Sequence, residues 1–367
     1  MTISTARPSL ERIALDVFDV VRSHAAESER EGRLADATLA ALHASGLFRS
    51  LQPQSCGGSG RPLPEVMRAI ENVARADGAA GWCLLIGAGS NAFTAWMAPD
   101  VARTLLASPT TVCASIFMPS GEATSVPGGY RVSGRWSYAS GIGHSTWVLA
   151  TCRVPDDTPL QAFLNVEDVE IVPNWDVMGL RATGSHDFVA HDVFVPEERT
   201  LRFKAGAQDP GLLYTLPFQA LLWLWFAPVP LGIARAALDA LRDDVASKGV
   251  GRIGAVGHAR YAEAEGLWRA ARAFASDVTE RAWQAACENR PLSASDVAET
   301  GVMARHVALT AAHVTRITHE LAGGASLREG TLARAFRDAH AAMQHVALAP
   351  SVWEHAGRTL LEEAVKD

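Results

Sequence analysis

Residues 321–350 read LAGGASLREGTLARAFRDAHAAMQHVALAP. The pair Gly323-Gly324 closes one helical stretch, and glycine there lets another backbone or a ligand approach closely. A polar turn follows. A new amphipathic stretch then carries Arg337, Asp338, His340 and His345. Two helices joined by a short polar turn make a helical hairpin. The new helix is expected to carry both histidines, and five residues at about 100° each set them about 140° apart, so only one of them faces a given pocket.

Outward from this hairpin, the helical period holds back to about residue 213. ARAALDALRDDVAS (234–247), the runs 257–286 and 293–322, and the 331–366 stretch are long, alanine-rich and amphipathic. Four such helices predict an antiparallel bundle. ALLWLWFAPVPLGIA (220–234) is the most apolar stretch. It is short for a bilayer span and contains Pro228 and Pro230, so it reads as buried interior. Between about 108 and 205 the texture is β: VPGGYRVSGRW turns at Gly128-Gly129 between two strands, and STWVLATCRV, LQAFLNV and HDFVAHDVFVP continue the signal. The first hundred residues are helical in period, with two helices over 9–46 and others over 63–77 and 79–97. The division is therefore 1–107 helical, 108–205 β and 206–367 helical.

Composition sets bounds. Of 367 residues 48% are hydrophobic and 20% charged, as in ordinary globular chains, and a net charge of −7 leaves no basic footprint for nucleic acid. Five scattered cysteines with no CxxC pair read as reduced thiols in a cytoplasmic protein. The N-terminus turns amphipathic at once, without a signal-peptide core. GVGRIG (249–254) has the form GxGxxG but follows a charged helical segment rather than an apolar strand, so it is no dinucleotide fingerprint. No HExxH or GxSxG occurs.

The hairpin resembles the last one of the acyl-CoA dehydrogenase superfamily, which runs GG…RxxRDxxxxxxxEG. The α–β–α order is that superfamily's layout, with an N-terminal helical domain, a middle β-barrel domain and a C-terminal four-helix bundle. Where a dehydrogenase carries its glutamate base, this chain has Val346, preceded by His345. That shifts the resemblance to the flavin-dependent two-component monooxygenase branch, which has a histidine in this region. GRWSYASG (134–141) is closer to that branch's GxWxFxSG than to the dehydrogenase GxKxWITNG, and puts Ser140 where a hydroxyl meets flavin N5. WDVMGLRATGSHDFVAHDVFVPEER (175–199) resembles the run that ends the β domain and flanks flavin.

The resemblance implies a monooxygenase that takes reduced FMN or FAD from a separate flavin reductase. With O2 it would oxygenate a small aromatic or heteroatom-containing substrate through a flavin C4a-hydroperoxide. His345 and Ser140 are the implied catalytic residues. Ser115, Phe117, Trp175, Arg181, Thr183, Arg252, Gly323 and Gly324 are the implied flavin contacts, the glycine pair reaching the flavin of a neighbouring subunit in a homotetramer. Ser90, Asn91, Trp223 and Phe226 join His345 around the substrate. Relatives often carry a histidine near Ser90-Asn91 that helps bind a phenol, and its lack here argues against simple phenol hydroxylation. No metal or membrane is implied. Two alternatives stand beside this reading: an acyl-CoA dehydrogenase-like FAD enzyme using Glu263 or Glu265 as base, and a non-catalytic scaffold.

Overall fold

The computed structural model describes residues 8–155 and 158–365, so the first seven residues of the N-terminal reading lie outside it. Six helices come first: α1 Leu10–Ser23, α2 Ala25–Glu31, α3 Asp36–Ser45, α4 Leu63–Ala76, α5 Gly78–Ala92 and α6 Pro99–Leu105. The two helices expected over 9–46 are three. His24 leaves the helical backbone between α1 and α2, its Nδ1 2.9 Å from the Val20 carbonyl, and Gly32 stops α2 in the left-handed region. Helix α5 runs through the interior with every residue buried except Ile86. It packs that closely on α4 because Gly81 has no Cβ, which would lie 2.4 Å from that of Ala74.

The expected β-barrel domain takes the form of one seven-stranded mixed sheet. Its strands are β1 Cys113–Val126, β2 Gly129–Ala139, β3 Trp147–Arg153, β4 Leu160–Asn165, β5 Glu170–Val172, β6 His186–Pro196 and β7 Thr200–Leu201, in the order β5-β6-β2-β1-β3-β4-β7. Strands β1 and β2 form the hairpin expected at Gly128-Gly129, and β1 pairs parallel with β3. Trp136, fully buried and stacked on Phe188 at 4.9 Å, centres this sheet's core. The β2–β6 register slips between Trp136 and Ala139, with Tyr138 at φ +69°. Such a bulge re-aims the residues that follow, here Ser140.

Six helices complete the chain: α7 Phe218–Phe226, α8 Pro228–Lys248, α9 Gly254–Cys287, α10 Ala294–Ala322, α11 Thr331–Ala342 and α12 Pro350–Ala364. Pro228 opens α8, where its missing N–H costs nothing. The segment Phe218–Lys248 is long and apolar enough to cross a membrane, yet 83% of its most apolar window is buried inside the protein. Asp239, buried on α8, takes Arg75 of α4 at 2.6 Å and Arg235 at 3.0 Å, while Arg235 also reaches Glu265 of α9 at 3.0 Å. Charge thus ties the bundle to the N-terminal helices. GVGRIG is the α8–α9 turn.

Candidate active site

Helix α5 begins at Asp77, whose Oδ2 accepts the Ala80 N–H at 3.0 Å and caps it. One turn on stands Trp82. Its indole N–H donates to Ser140 Oγ at 3.1 Å, across to the end of β2. The same indole meets Phe226 of α7 and His345, both with ring centroids 5.5 Å away. Trp82 therefore joins the two residues expected to be catalytic.

From Ser140 a chain of hydroxyls leads inward. Ser140 Oγ lies 2.7 Å from Ser185 Oγ, Ser185 Oγ 2.7 Å from Thr183 Oγ1, and Thr183 Oγ1 donates to the Leu180 carbonyl at 2.8 Å. Ser140, Thr183 and Ser185 are all buried. Leu180, at φ +52°, sits in a conformation rare for a branched residue. Asp338 holds it there: its Oδ1 accepts the Leu180 N–H at 2.6 Å. The approach is possible because residue 179 is glycine; a Cβ there would lie 2.3 Å from the Arg337 carbonyl. The Arg337-Asp338 pair of the last hairpin is thus the support under the 180–185 turn. Arg337 pairs with Glu29 of α2, and Arg334 lies 3.5 Å from Asp77. Burial, then repulsion from Asp77, pushes the Asp338 carboxyl up to about 7; burial likewise raises Asp77.

His345 corrects an expectation. Helix α11 ends at Ala342, so His340 and His345 do not share a helix and the angle between them carries no meaning. Helix spacing could not show this stop: His345 begins a short 3₁₀ turn, and its Nδ1 accepts the Ala347 N–H at 3.2 Å. The imidazole stacks on Phe226 at 4.2 Å. Burial holds it down at about 4, so it is neutral at pH 7. With Nδ1 accepting, the proton sits on Nε2, which is a donor. His345 is therefore built to donate a hydrogen bond and poorly built to be a base. His340, by contrast, bonds the Phe336 carbonyl through Nδ1 at 2.7 Å.

The other expected residues divide. Ser90 donates to Ser115 Oγ at 2.8 Å, joining α5 to β1 and leaving the Ser115 hydroxyl hydrogen uncommitted. Phe117 enters an aromatic nest with Phe93 (5.2 Å), Phe218 (5.5 Å) and Phe203. Trp175 donates to the Leu180 carbonyl at 3.1 Å and meets the exposed Tyr138 ring edge-on. Asn91 leaves the expected substrate group: its Nδ2 donates to the Phe48 and Thr111 carbonyls and its Oδ1 accepts from the Cys113 N–H, so both its hydrogens and its oxygen brace buried backbone. Trp223 also leaves it, packing against Gly301 of α10. Its neighbour Trp225 instead lies against Gly89 and Phe93, its indole N–H buried without a partner. Arg181 pairs locally with Asp176 and the Val177 carbonyl. Arg252 is held by Asp244 at 2.5 Å in the α8–α9 turn, and no bond among the described residues joins it to the Ser140 group. Gly323, at φ +58°, and Gly324 face open space. Glu265, raised by burial but drawn down further by Arg235 and Tyr261, is a locked carboxylate rather than a base.

Trp82 and Asp77 escaped assignment from sequence. A tryptophan in an apolar helix reads as core, and an aspartate just before a helix reads as no more than its cap.

Residues 224–350 match the family model described as acyl-CoA dehydrogenase, C-terminal domain. The chain is 32% identical to indole-3-acetate monooxygenase of Pseudomonas putida, over 95% of this chain and 92% of that protein. It is 30% identical to the oxygenase component of an FADH2-dependent resorcinol hydroxylase from a Rhizobium species, over 67% of this chain and 64% of that one. Among solved structures, the 3-HSA hydroxylase of a Rhodococcus species superposes with a TM-score of 0.91 at 25% identity, over 97% of both chains.

Proposed function

We propose, for a chain that belongs to the acyl-CoA dehydrogenase superfamily and, within it, to the flavin-dependent two-component monooxygenases, that Ser140 and His345 face one flavin and one substrate from the two sides of Trp82. The protein is the oxygenase component. It takes reduced FMN or FAD from a separate flavin reductase and inserts one oxygen atom of O2 into a small aromatic substrate. When bound, the reduced flavin supplies the electrons that activate O2.

The residues present fit that group. Ser140 keeps a free lone pair, Ser115 keeps a hydroxyl hydrogen, and Trp175, on the Leu180 carbonyl that ends the Ser140 hydroxyl chain, meets the Tyr138 ring. His345 Nε2–H donates toward the reacting oxygen, while Phe226 and Trp82 wall it from water. The nest of Phe93, Phe117 and Trp225 next to the Ser90–Ser115 pair receives the aromatic ring of the substrate. Trp82 is the observation that carries this reading, since one side chain touches both implied catalytic residues. The dehydrogenase alternative finds no placed base: Val346 occupies that position, Glu265 is locked by Arg235, and Glu263 is exposed on α9.

Three coarser proposals accompany it. The chain divides at 1–107, 108–205 and 206–367. It assembles as a homotetramer, supported by exposed Leu327, Val346, Trp353 and Leu361 along the last hairpin and α12, beside the open Gly323-Gly324 turn. It works in the cytoplasm, which its unpaired cysteines suit.

The test is anaerobic mixing with pre-reduced FMN or FAD, then oxygenated buffer containing indoles or substituted phenols. Expected are flavin reoxidation slower than in free solution and ¹⁸O from ¹⁸O2 in the product. His345→Ala should lower turnover about 100-fold, the size of one lost donor at a reacting oxygen, with reduced-flavin affinity kept. Reoxidation at the free-flavin rate with no labelled product would sink the reading.

A further inference from the structure

We propose that Ser185 and Thr183, anchored on the Leu180 carbonyl, fix the direction of the Ser140 hydroxyl, so that the site prefers a flavin whose N5 bears a hydrogen to one whose N5 does not. This rests on the reading that Ser140 meets flavin N5.

A hydroxyl has one hydrogen to give and two lone pairs. The chain's two ends each run one way only. The Leu180 carbonyl can only accept, so the Thr183 hydrogen is committed to it. Thr183 must then accept from Ser185, and Ser185, its hydrogen now used, must accept from Ser140. At the other end the Trp82 indole can only donate, and it fills one of Ser140's lone pairs. Every bond is satisfied by one arrangement: Trp82 to Ser140 to Ser185 to Thr183 to Leu180. Ser140 is left with one outward lone pair and no outward hydrogen.

Reduced flavin carries N5–H, a donor that this lone pair accepts. Oxidised flavin presents N5 as an acceptor, which meets the same lone pair unfavourably. Turning the Ser140 hydrogen outward gives up one bond of the chain, whichever of its three links is broken. Burial of Ser140, Thr183 and Ser185 leaves water no easy way to replace that bond. The Leu180 end is in turn fixed by Asp338 on its N–H and by Trp175 on its carbonyl. The preference is therefore worth about one neutral hydrogen bond, roughly twofold to tenfold in affinity.

The experiment measures dissociation constants for oxidised FMN and FAD, and for the same flavins reduced anaerobically with dithionite, by fluorescence titration of the whole chain. Ser185→Ala frees the Ser140 hydrogen. Thr183→Val, nearly isosteric, removes the inward acceptor of Ser185 and frees it by a second route. In both, the reduced-to-oxidised affinity ratio should fall twofold to tenfold because oxidised flavin binds more tightly, and in Ser185→Ala the reduced-flavin affinity should stay unchanged. Ser185→Thr, which keeps the hydroxyl, should keep the ratio. Circular dichroism confirms that each variant is folded, and a misfolded Ser185→Ala leaves Thr183→Val to decide. An unchanged ratio in a folded variant overturns the proposal while flavin binding stands. So does a fall caused by weaker binding of reduced flavin, the mark of mere structural damage. A wild-type chain that binds neither form defeats the functional reading as well.

Discussion

On one side of Trp82, the Ser140 hydroxyl is held by named bonds: the indole N–H on one face and the ordered hydroxyls of Ser185 and Thr183 on the other. On the other side, the His345 imidazole lies against Phe226 and the Trp82 edge, with one bond, from the Ala347 N–H. Both groups end with their hydrogen in a single place, reached by different physics. Hydrogen bonds with one-way ends fix a direction. Desolvation fixes a charge, because a buried imidazolium costs more than a neutral ring. The two devices share one wall, so removing the wall should disturb both and removing either device should disturb one.

Trp82→Ala breaks the comparison outright. Trp82 is 4% exposed, and deleting a buried tryptophan costs about 3–5 kcal/mol. Urea unfolding should show that loss. Trp82→Phe sharpens the comparison: the packing on Phe226 and His345 is largely kept while the bond to Ser140 goes, at about 1 kcal/mol. Equal losses for the two variants would show that the indole N–H, rather than ring packing, dominates.

The two sides also differ in how they could be read from sequence. The strand ending at Ser140 was legible, because a run of alternating residues before a glycine turn marks a strand end. The hydroxyl's orientation was not, since it depends on Leu180 at positive φ and on Asp338, which is 158 residues from Leu180. The last hairpin was legible from Gly323-Gly324 and the amphipathic run. The stop at Ala342 was not, since alanine and methionine both suit a helix and only the packed structure turns His345 onto Phe226. Asn91 and Trp223 were placed by neighbourhood along the chain, and three-dimensional partners moved them away from the site. Phe226, on the same helix, stayed with it.

The polar side is supported from below by Asp338, and a pair of substitutions isolates that support. Asp338→Ala leaves the buried Leu180 N–H without its acceptor, at a cost of about 1–3 kcal/mol. It should also loosen the Thr183–Ser185 end of the hydroxyl chain. Asp338→Asn keeps an acceptor oxygen on Leu180 and removes a carboxyl that burial and Asp77 already disfavour in its charged form. It should cost less than about 1 kcal/mol and retain the flavin preference. Thermal denaturation of both variants at pH 7 reads the difference. An Asn variant as unstable as the Ala variant would mean that charge, not the acceptor, holds the turn.

The apolar side is tested most gently by pH. His345 is held at about 4 in the folded protein, against about 6.5 in an unfolded chain. Between those values the unfolded chain binds the proton first, so stability is full above about pH 6.5 and falls as pH drops toward 4. From pH 6.5 to 5.5 the loss is about 1 kcal/mol for one such histidine. His144, also held down at about 4 by burial, adds a second loss in the same window. Asp338 acts oppositely: raised to about 7, it keeps a proton that the unfolded carboxylate has released, so its contribution grows as pH falls from 7 toward 4. The clean comparison is therefore Asp338→Asn with and without His345→Phe, where phenylalanine keeps the stack on Phe226. Urea midpoints at pH 5.5 and 6.5 should differ by about 1 kcal/mol less in the double variant. An unchanged difference would mean that the imidazole is already solvated and that desolvation does not set its charge.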